Sequence, residues 1–355
     1  MSRRLGTVIR ADSSPPLAVV GDRLCTDLSD VTSDLTALES SGFWAVVIPS
    51  AGDPVCARFE TIRPARPWTG PTWAGPPADA WRTTLGRTAF EQGVETIRAA
   101  ISAGDVYQVN LTRRVRAPLP RGLPTLATDV AALGAALAEG NPAPYSAVVR
   151  LPSHHLAVAS ASPERFLSRD GPIVRSSPIK GTAATADGFL AKDQAENVMI
   201  VDLVRNDLGR VCEWGSVTVP GMLEVEAHPG LFHLVSTVKG RLRDDCGWPE
   251  LIDATFPPGS VTGAPKIAAC RIIDQIETDE RGPYCGAIGW VDADLAQGDL
   301  NVAIRTFWID GPDLCFGTGG AITWGSDPRG EWLETELKAD RLLSIASGTL
   351  AGTGR

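Results

Sequence analysis

Strand-like and helix-like segments follow one another in this chain without regular alternation, and that order constrains the fold more than any other feature. The runs LAVV (17–20), GFWAVVIPS (42–50) and VCARFETI (55–62) are short, apolar and bounded by Gly, Pro or Asp, as strands are. RPARPWTGPTWAGPP (63–77), rich in Pro and Trp, reads as a linker. From Thr88 the period changes. Phe90, Val94, Ile97 and Ile101 fall three and four apart, with Gly104 as a stop, which predicts a helix. DVYQVNLTRRV (105–115) alternates like a strand, and after an alanine-rich stretch YSAVVRL (145–151) and HLAVASAS (155–162) are strand-like as well. Lys192 to Leu208 is predicted as a helix buried on most sides, because Ala195, Val198, Met199, Leu203 and Leu208 accompany further apolar residues. The segment 261–277 opens with Gly263, has Pro265 at a first-turn position and carries a core stripe of Ile272, Ile273 and Ile276. CGAIGWV (285–291) and VAIRTFWI (302–309) read as strands, and Glu331 to Ser347 as a closing helix before Gly348. A doubly wound parallel sheet needs strict strand–helix alternation, so a mixed α+β architecture is expected.

Bulk properties remove several function classes. A net charge of −9 argues against a nucleic-acid or anionic-membrane surface, which needs dense Lys/Arg. The seven cysteines are scattered singly without a C-x-x-C, so neither a disulfide framework nor a zinc site is favoured. There is no run of about 18 apolar residues to span a membrane, and the opening MSRRLGTVIRADSSPPL has no apolar h-region of a secretory signal. The expectation is a soluble, cytoplasmic protein. An acidic protein that binds an anionic metabolite must gather positive charge locally.

Four features bear on chemistry. Asp193/Glu196 and Glu331/Glu334 are acid doublets of spacing three on predicted helices, so each doublet shares one helix face. Two such faces could meet around a hard cation, and Mg²⁺ suits oxygen ligands; an isolated pair of this spacing is more often a solvated face. SSPIKGT places Lys180 between a proline and a glycine. A lysine amine is nucleophilic only when neutral, which burial or nearby cations promote, although a lysine in a turn is usually solvated. GSVTGAPK (259–266) is glycine-rich, opens a helix and adds the charge of Lys266, a pattern that attracts anions without being a Walker A loop. His233, in GLFHLVSTV, is a lone histidine in an apolar strand, more often packed than catalytic.

Taken together, the segments GDVYQVNLTRR, SASPERFL, PIKGT, KDQAENVMIVDLVRNDLGR, HLVSTVKG, FPPGSVTGAPK, RGPYCGAIGW, NVAIRTF and SDPRGEWLET resemble the chorismate-utilising enzymes, and they run in order from about residue 85 to the end. That family includes the first components of anthranilate and aminodeoxychorismate synthases and the isochorismate and salicylate synthases. The resemblance implies an anthranilate-synthase-component-I-like fold, with large antiparallel sheets and peripheral helices. It divides the chain into a shortened N-terminal region (1–80), in which a tryptophan pocket is not expected, and a chorismate-binding catalytic domain (81–355).

The resemblance also implies roles. Glu196 and Glu334 match the Mg²⁺ ligands, with Asp193 and Glu331 in support, and the ion would hold the ring carboxylate of the substrate. Tyr284, Arg305 and Lys338 match substrate-binding positions, and Gly319–Gly320 a glycine turn beside the substrate; Thr262 and Lys266 of SVTGAPK are placed with them. Glu164 of SPERFL matches a general acid, and His233 a supporting residue near the ring. Members that add water carry a lysine where this chain has Gln108, which disfavours isochorismate and salicylate formation. PIKGT, where anthranilate synthases show PIAGT, makes Lys180 match the nucleophile of the aminodeoxychorismate synthase branch. No G-x-C-x-G glutaminase motif is present, so a separate glutamine amidotransferase is the implied ammonia source. The alternatives are another chorismate-aminating synthase such as anthranilate synthase component I, a non-catalytic relative, and a phosphate-binding module built on GSVTGAPK.

Overall fold

The computed structural model describes residues 14–122, 125–183, 185–228 and 231–349. Six α-helices are present among them: α1 Arg87–Ala103, α2 Val130–Gly140, α3 Ala191–Gly209, α4 Trp248–Thr255, α5 Lys266–Ile276 and α6 Pro328–Ala346. Among the described residues eighteen strands join into one hydrogen-bonded sheet, and its pairings there are antiparallel throughout. Antiparallel ladders need no helical crossovers, so the helices are free to lie at the periphery. This is the α+β architecture that the irregular order of segments predicts. No described helix is long and apolar enough to cross a membrane.

Three apolar clusters hold the layers together. The largest joins the N-terminal strands to α3 and α4 around Trp44, Trp248 and Leu167. A second packs α2 and the end of α6 on Phe307 and Phe316. The third sets Phe90, Val94 and Ile97 of α1 against Ala269 and Ile273 of α5 and Trp332 of α6. The predicted stripe of α1 is thus its buried face, and Gly104 closes the helix at φ +85°, a left-handed cap that glycine adopts without a Cβ penalty.

The N-terminal strands belong to the same sheet as the rest. Leu17–Val20 pairs with Tyr145–Leu151, and Phe43–Ile48 pairs with Ala287–Asp292. The Pro/Trp-rich stretch is irregular, as its composition predicts, but it is not a free linker. Trp73 is 6% exposed, lies in the second core cluster and donates from its indole N–H to the carbonyl of Ala346 at 2.7 Å. Truncating it opens a cavity and strips that carbonyl of its partner. Trp73→Ala is expected to destabilise the fold by about 3 kcal/mol, read as a lowered midpoint in urea; an unchanged midpoint would show that the stretch is only draped over the core.

Three further expectations change on contact with tertiary packing. VAIRTFWI is not one strand: Gln297–Val302 and Thr306–Asp310 are separate, and the chain turns between them at Arg305, φ +51°. The helix α3 is not buried on most sides. Its buried residues Asn197, Ile200, Val201, Val204 and Leu208 form one face, while Ala195 and Val198 are exposed. At the GSVTGAPK segment, Gly263–Ala264 is a short strand against Gln108 and Val109, so α5 begins at Lys266 with Pro265 as its cap.

Candidate active site

Lys180 lies on the strand Ile179–Ala183, where the ladder to Leu231–Arg241 is irregular. Ile179 faces Val235 and Thr182 faces His233, so one residue more stands on the Lys180 side, a bulge. Gly181 has φ +96°, and a Cβ there would stand 3.0 Å from the Cβ of Asp193. Glycine thus lets the first turn of α3 settle on the bulge. The Lys180 ammonium donates to the carbonyl of Ser260 at 2.9 Å. Burial holds this amine below its ordinary pKa, with Glu196 and Glu164 pulling the other way.

Glu164, 3% exposed, sits at the joint between the strands Leu156–Ser162 and Arg165–Asp170. Its backbone is fixed on both sides: Val302 N–H donates to its carbonyl at 3.0 Å, and its own N–H donates to the Ser162 hydroxyl at 3.2 Å. Burial pushes its carboxyl up to about 7, while hydrogen bonds from Ser260 and the backbone of Ile179, and the charge of Lys180, pull down. Ser260 therefore touches both groups, and an acid and an amine of perturbed pKa share one enclosure. Such pairs are characteristic of reactive sites.

The two acid doublets do converge. Glu196 on α3 is raised first by burial, and Asp193 and Glu334 add to it against Lys180 and Lys192. Glu331 on α6 is 8% exposed, accepts from the Ser326 hydroxyl at 2.5 Å, and is raised by burial. For Glu334, burial raises the pKa, but the Lys338 ammonium 2.7 Å away, with Lys192 and Lys180, brings it below the usual carboxylate value. Asp193 has a local task, accepting from the N–H of Leu190 at 2.8 Å to cap α3. Among the described residues no three His, Cys, Asp or Glu side chains form a ready cage for a metal. Mg²⁺ does not require one, since it takes one or two carboxylates and fills its shell with water and substrate oxygens. The charge of Glu334 raises both Glu196 and Glu331, so these carboxylates are a donor set that such a cation would relieve.

Gly319 and Gly320, on the strand Asp313–Ile322, pass beneath this group. A Cβ at Gly320 would lie 3.2 Å from a Glu331 carboxylate oxygen, and Lys338 donates to the Gly319 carbonyl at 3.1 Å. Arg305 is partly buried, and burial lowers its guanidinium. Gln108 is fully buried, and neither atom of its amide has a hydrogen-bond partner among the described residues. His233 is 2% exposed on the strand opposite Thr182.

Other expected site residues are engaged elsewhere. Lys266 donates to Asp207 and to the carbonyl of Thr255, both at 2.7 Å, so its charge fastens α5 to α3. The Thr262 hydroxyl donates back to Pro258 O. Tyr284 is buried beside Arg281, Glu277 and Cys285, its ring against Gly317. Nearby, Arg281 pairs with Glu277 and donates to the carbonyls of Val261 and Asn110, which holds the loop carrying Ser260. Ser260 and Asn197 escaped the sequence reading. The signal for Asn197 was present: it is a lone polar residue at the head of the stripe Ile200, Val201, Val204, Leu208.

The profile of the chorismate binding enzymes matches residues 69–344. The chain belongs to that family. Its match begins inside the Pro/Trp-rich stretch, upstream of the first recognisable motif. Among chorismate binding enzymes, aminodeoxychorismate synthase component 1 of Salmonella typhimurium is 38% identical over 276 residues, 74% of this chain and 59% of that protein. Anthranilate synthase component 1 1 of Haloarcula marismortui is 39% identical over 276 residues, 74% of this chain and 54% of the relative. The chain thus spans little more than half the length of these relatives, and identity alone does not separate the two branches. The crystal structure of anthranilate synthase component I from Streptococcus pneumoniae superposes with a TM-score of 0.72 at 27% identity, covering 86% of this chain and 81% of that one. The fold is therefore that of this family, as the motifs imply.

Proposed function

We propose that this protein aminates chorismate to 4-amino-4-deoxychorismate, with Mg²⁺ bound by Glu196 and Glu334 and ammonia supplied by a glutamine amidotransferase partner. The observation that carries the reading is the pairing of Lys180 with Glu164 across Ser260, beside the carboxylates of α3 and α6. Anthranilate synthases show alanine where this chain has Lys180, and water-adding members show lysine where it has Gln108. Lys180 favours the branch that aminates at C4, and Gln108 disfavours water addition.

The chemistry is an allylic substitution in two stages. The neutral Lys180 amine forms a bond to C2, the ring double bonds shift, and the C4–O bond breaks. Hydroxide is a poor leaving group, so Glu164 delivers its proton and water departs. Ammonia then bonds to C4, the double bonds return, and the C2–N bond breaks to release Lys180; the surplus proton on nitrogen restores the acid. Arg305 and Lys338 provide the local positive charge that an anionic substrate needs in an acidic protein. Bound Mg²⁺ would neutralise the ring carboxylate and fix the ring against Gly319–Gly320.

Incubating the protein with chorismate, Mg²⁺ and ammonium tests the reading. The expected product yields para-aminobenzoate only after a lyase is added; fluorescent anthranilate formed without a lyase would overturn it. Metal removal gives a second expectation. Treatment with a chelator should abolish turnover, and Mg²⁺ should restore it to the wild type but not to Glu334→Gln at equal concentration. Calorimetric titration with Mg²⁺ in the absence of chorismate should show the same loss in that variant.

A further inference from the structure

The strand Leu231–Arg241 runs between two bulged neighbours. On one side the register breaks between Ile179 and Thr182, the segment that carries Lys180. On the other, Thr218–His228 bulges between Gly221 and Glu224, where Leu223 adopts φ +56°, an unfavourable conformation for a residue with a branched side chain. One buried side chain from α3 reaches the first bulge. Asn197, 0% exposed, donates from Nδ2 to the carbonyl of Leu234 at 3.0 Å and, at a longer 3.5 Å, to the carbonyl of Lys180 itself. Its Oδ1 accepts from the Ser236 hydroxyl at 2.5 Å, and that hydroxyl accepts the N–H of Leu223 at 2.9 Å.

Only one orientation of the amide satisfies this arrangement. A carboxamide oxygen turned toward two backbone carbonyls would repel them, and an NH₂ turned toward Ser236 would displace the proton that the hydroxyl donates. Ser236 is also fully buried, so no bulk water can substitute for either partner. The chain Leu223–Ser236–Asn197–Lys180 thus fastens both bulges through one amide. At this break in register a side chain reaches the Lys180 backbone in addition to the ladder.

We infer that Asn197, oriented by Ser236, is the positioning residue of Lys180, holding the bulge so that the amine points across Ser260 toward Glu164. It touches neither substrate nor reacting atoms. The inference rests on Lys180 being the nucleophile, and it adds a residue whose loss should slow the covalent step without weakening chorismate binding. A displacement of about 1 Å can cost about 100-fold in rate. The loss of a single orienting hydrogen bond is worth about tenfold.

Intact mass spectrometry of protein quenched with chorismate and Mg²⁺, before ammonia is added, reads the Lys180 adduct directly. Asn197→Leu, similar in volume, is expected to slow adduct appearance about 100-fold, and Ser236→Ala about tenfold. The KM for chorismate should stay within twofold, and the thermal midpoint of Ser236→Ala should fall by several degrees, because the Leu223 N–H and Asn197 Oδ1 lose a buried partner, while the protein stays folded at the assay temperature. The double variant should be no slower than Asn197→Leu alone, because both changes act through one amide. A merely structural role would lower the thermal midpoint and leave the adduct rate of the folded fraction intact. If Asn197→Leu does not fold, Ser236→Ala decides: a wild-type adduct rate in that variant overturns the inference while leaving the nucleophile in place. Wild-type protein that turns over without any adduct at Lys180 overturns both.

Discussion

Lys180→Ala is expected to lower ammonia-dependent amination of chorismate by on the order of 10⁴-fold or more, as the loss of a nucleophile does elsewhere, and to eliminate the mass adduct. Lys180→Arg separates chemistry from charge. Arginine keeps the cation but cannot be deprotonated in a protein, so it should be as inactive as alanine. If the role of Lys180 were to hold an anion, the arginine variant would retain most of the activity. The structural basis is the burial that depresses the amine, with Glu196 and Glu164 opposing it. Turnover of Lys180→Ala at the wild-type rate would sink the assignment even with the family established.

Glu164→Gln is expected to cost about 1,000-fold in the rate of adduct formation, within the range for a general acid. The pH dependence carries the sign. A carboxyl raised to about 7 is protonated, and so competent to donate, below that pH; the acid form disappears as pH rises through it. Measured without ammonia, so that the NH₃/NH₄⁺ balance does not enter, the proton-donating fraction of Glu164 falls tenfold per unit above about pH 7, and adduct formation falls with it once Lys180 is neutral. Toward lower pH the rate should fall as Lys180 becomes charged, so the profile is a bell. Glu164→Gln should lack the descending limb. A limb that persists unchanged in the variant would assign it to another group.

Much of the fold was legible because it rests on local period. The stripe of α1 and the short apolar runs of Tyr145–Leu151 and Leu156–Ser162, buried without a break over most of their length, follow from which side chains must leave water. What the sequence hid depends on partners distant along the chain. Arg23–Thr32 is a strand despite its polar residues because it is paired on both sides, by Leu17–Val20 and Val55–Pro64. The apolar content of α3 suggested burial on most sides, yet Val198 is 46% exposed and the buried face includes an asparagine. In the site, acid spacing placed each doublet on one face, but only the tertiary arrangement brings α3 and α6 together. Lys180 and Glu164 could be paired in advance only through family resemblance, since no spacing along the chain connects a bulge to a strand joint. Lys266 shows the opposite limit: a cation in a glycine-rich helix start suggested an anion site, and packing gives it Asp207 instead.

The pairing of Phe43–Ile48 with Ala287–Asp292 bears on where this protein can be cut. The first of those strands is apolar and buried along its whole length, and it lies upstream of the span that defines the family. Trimming to residues 69–344 would therefore not release an independent catalytic unit. It would uncover a row of unpaired amides and carbonyls beside greasy side chains, the kind of bare margin that invites another copy to add its own strand.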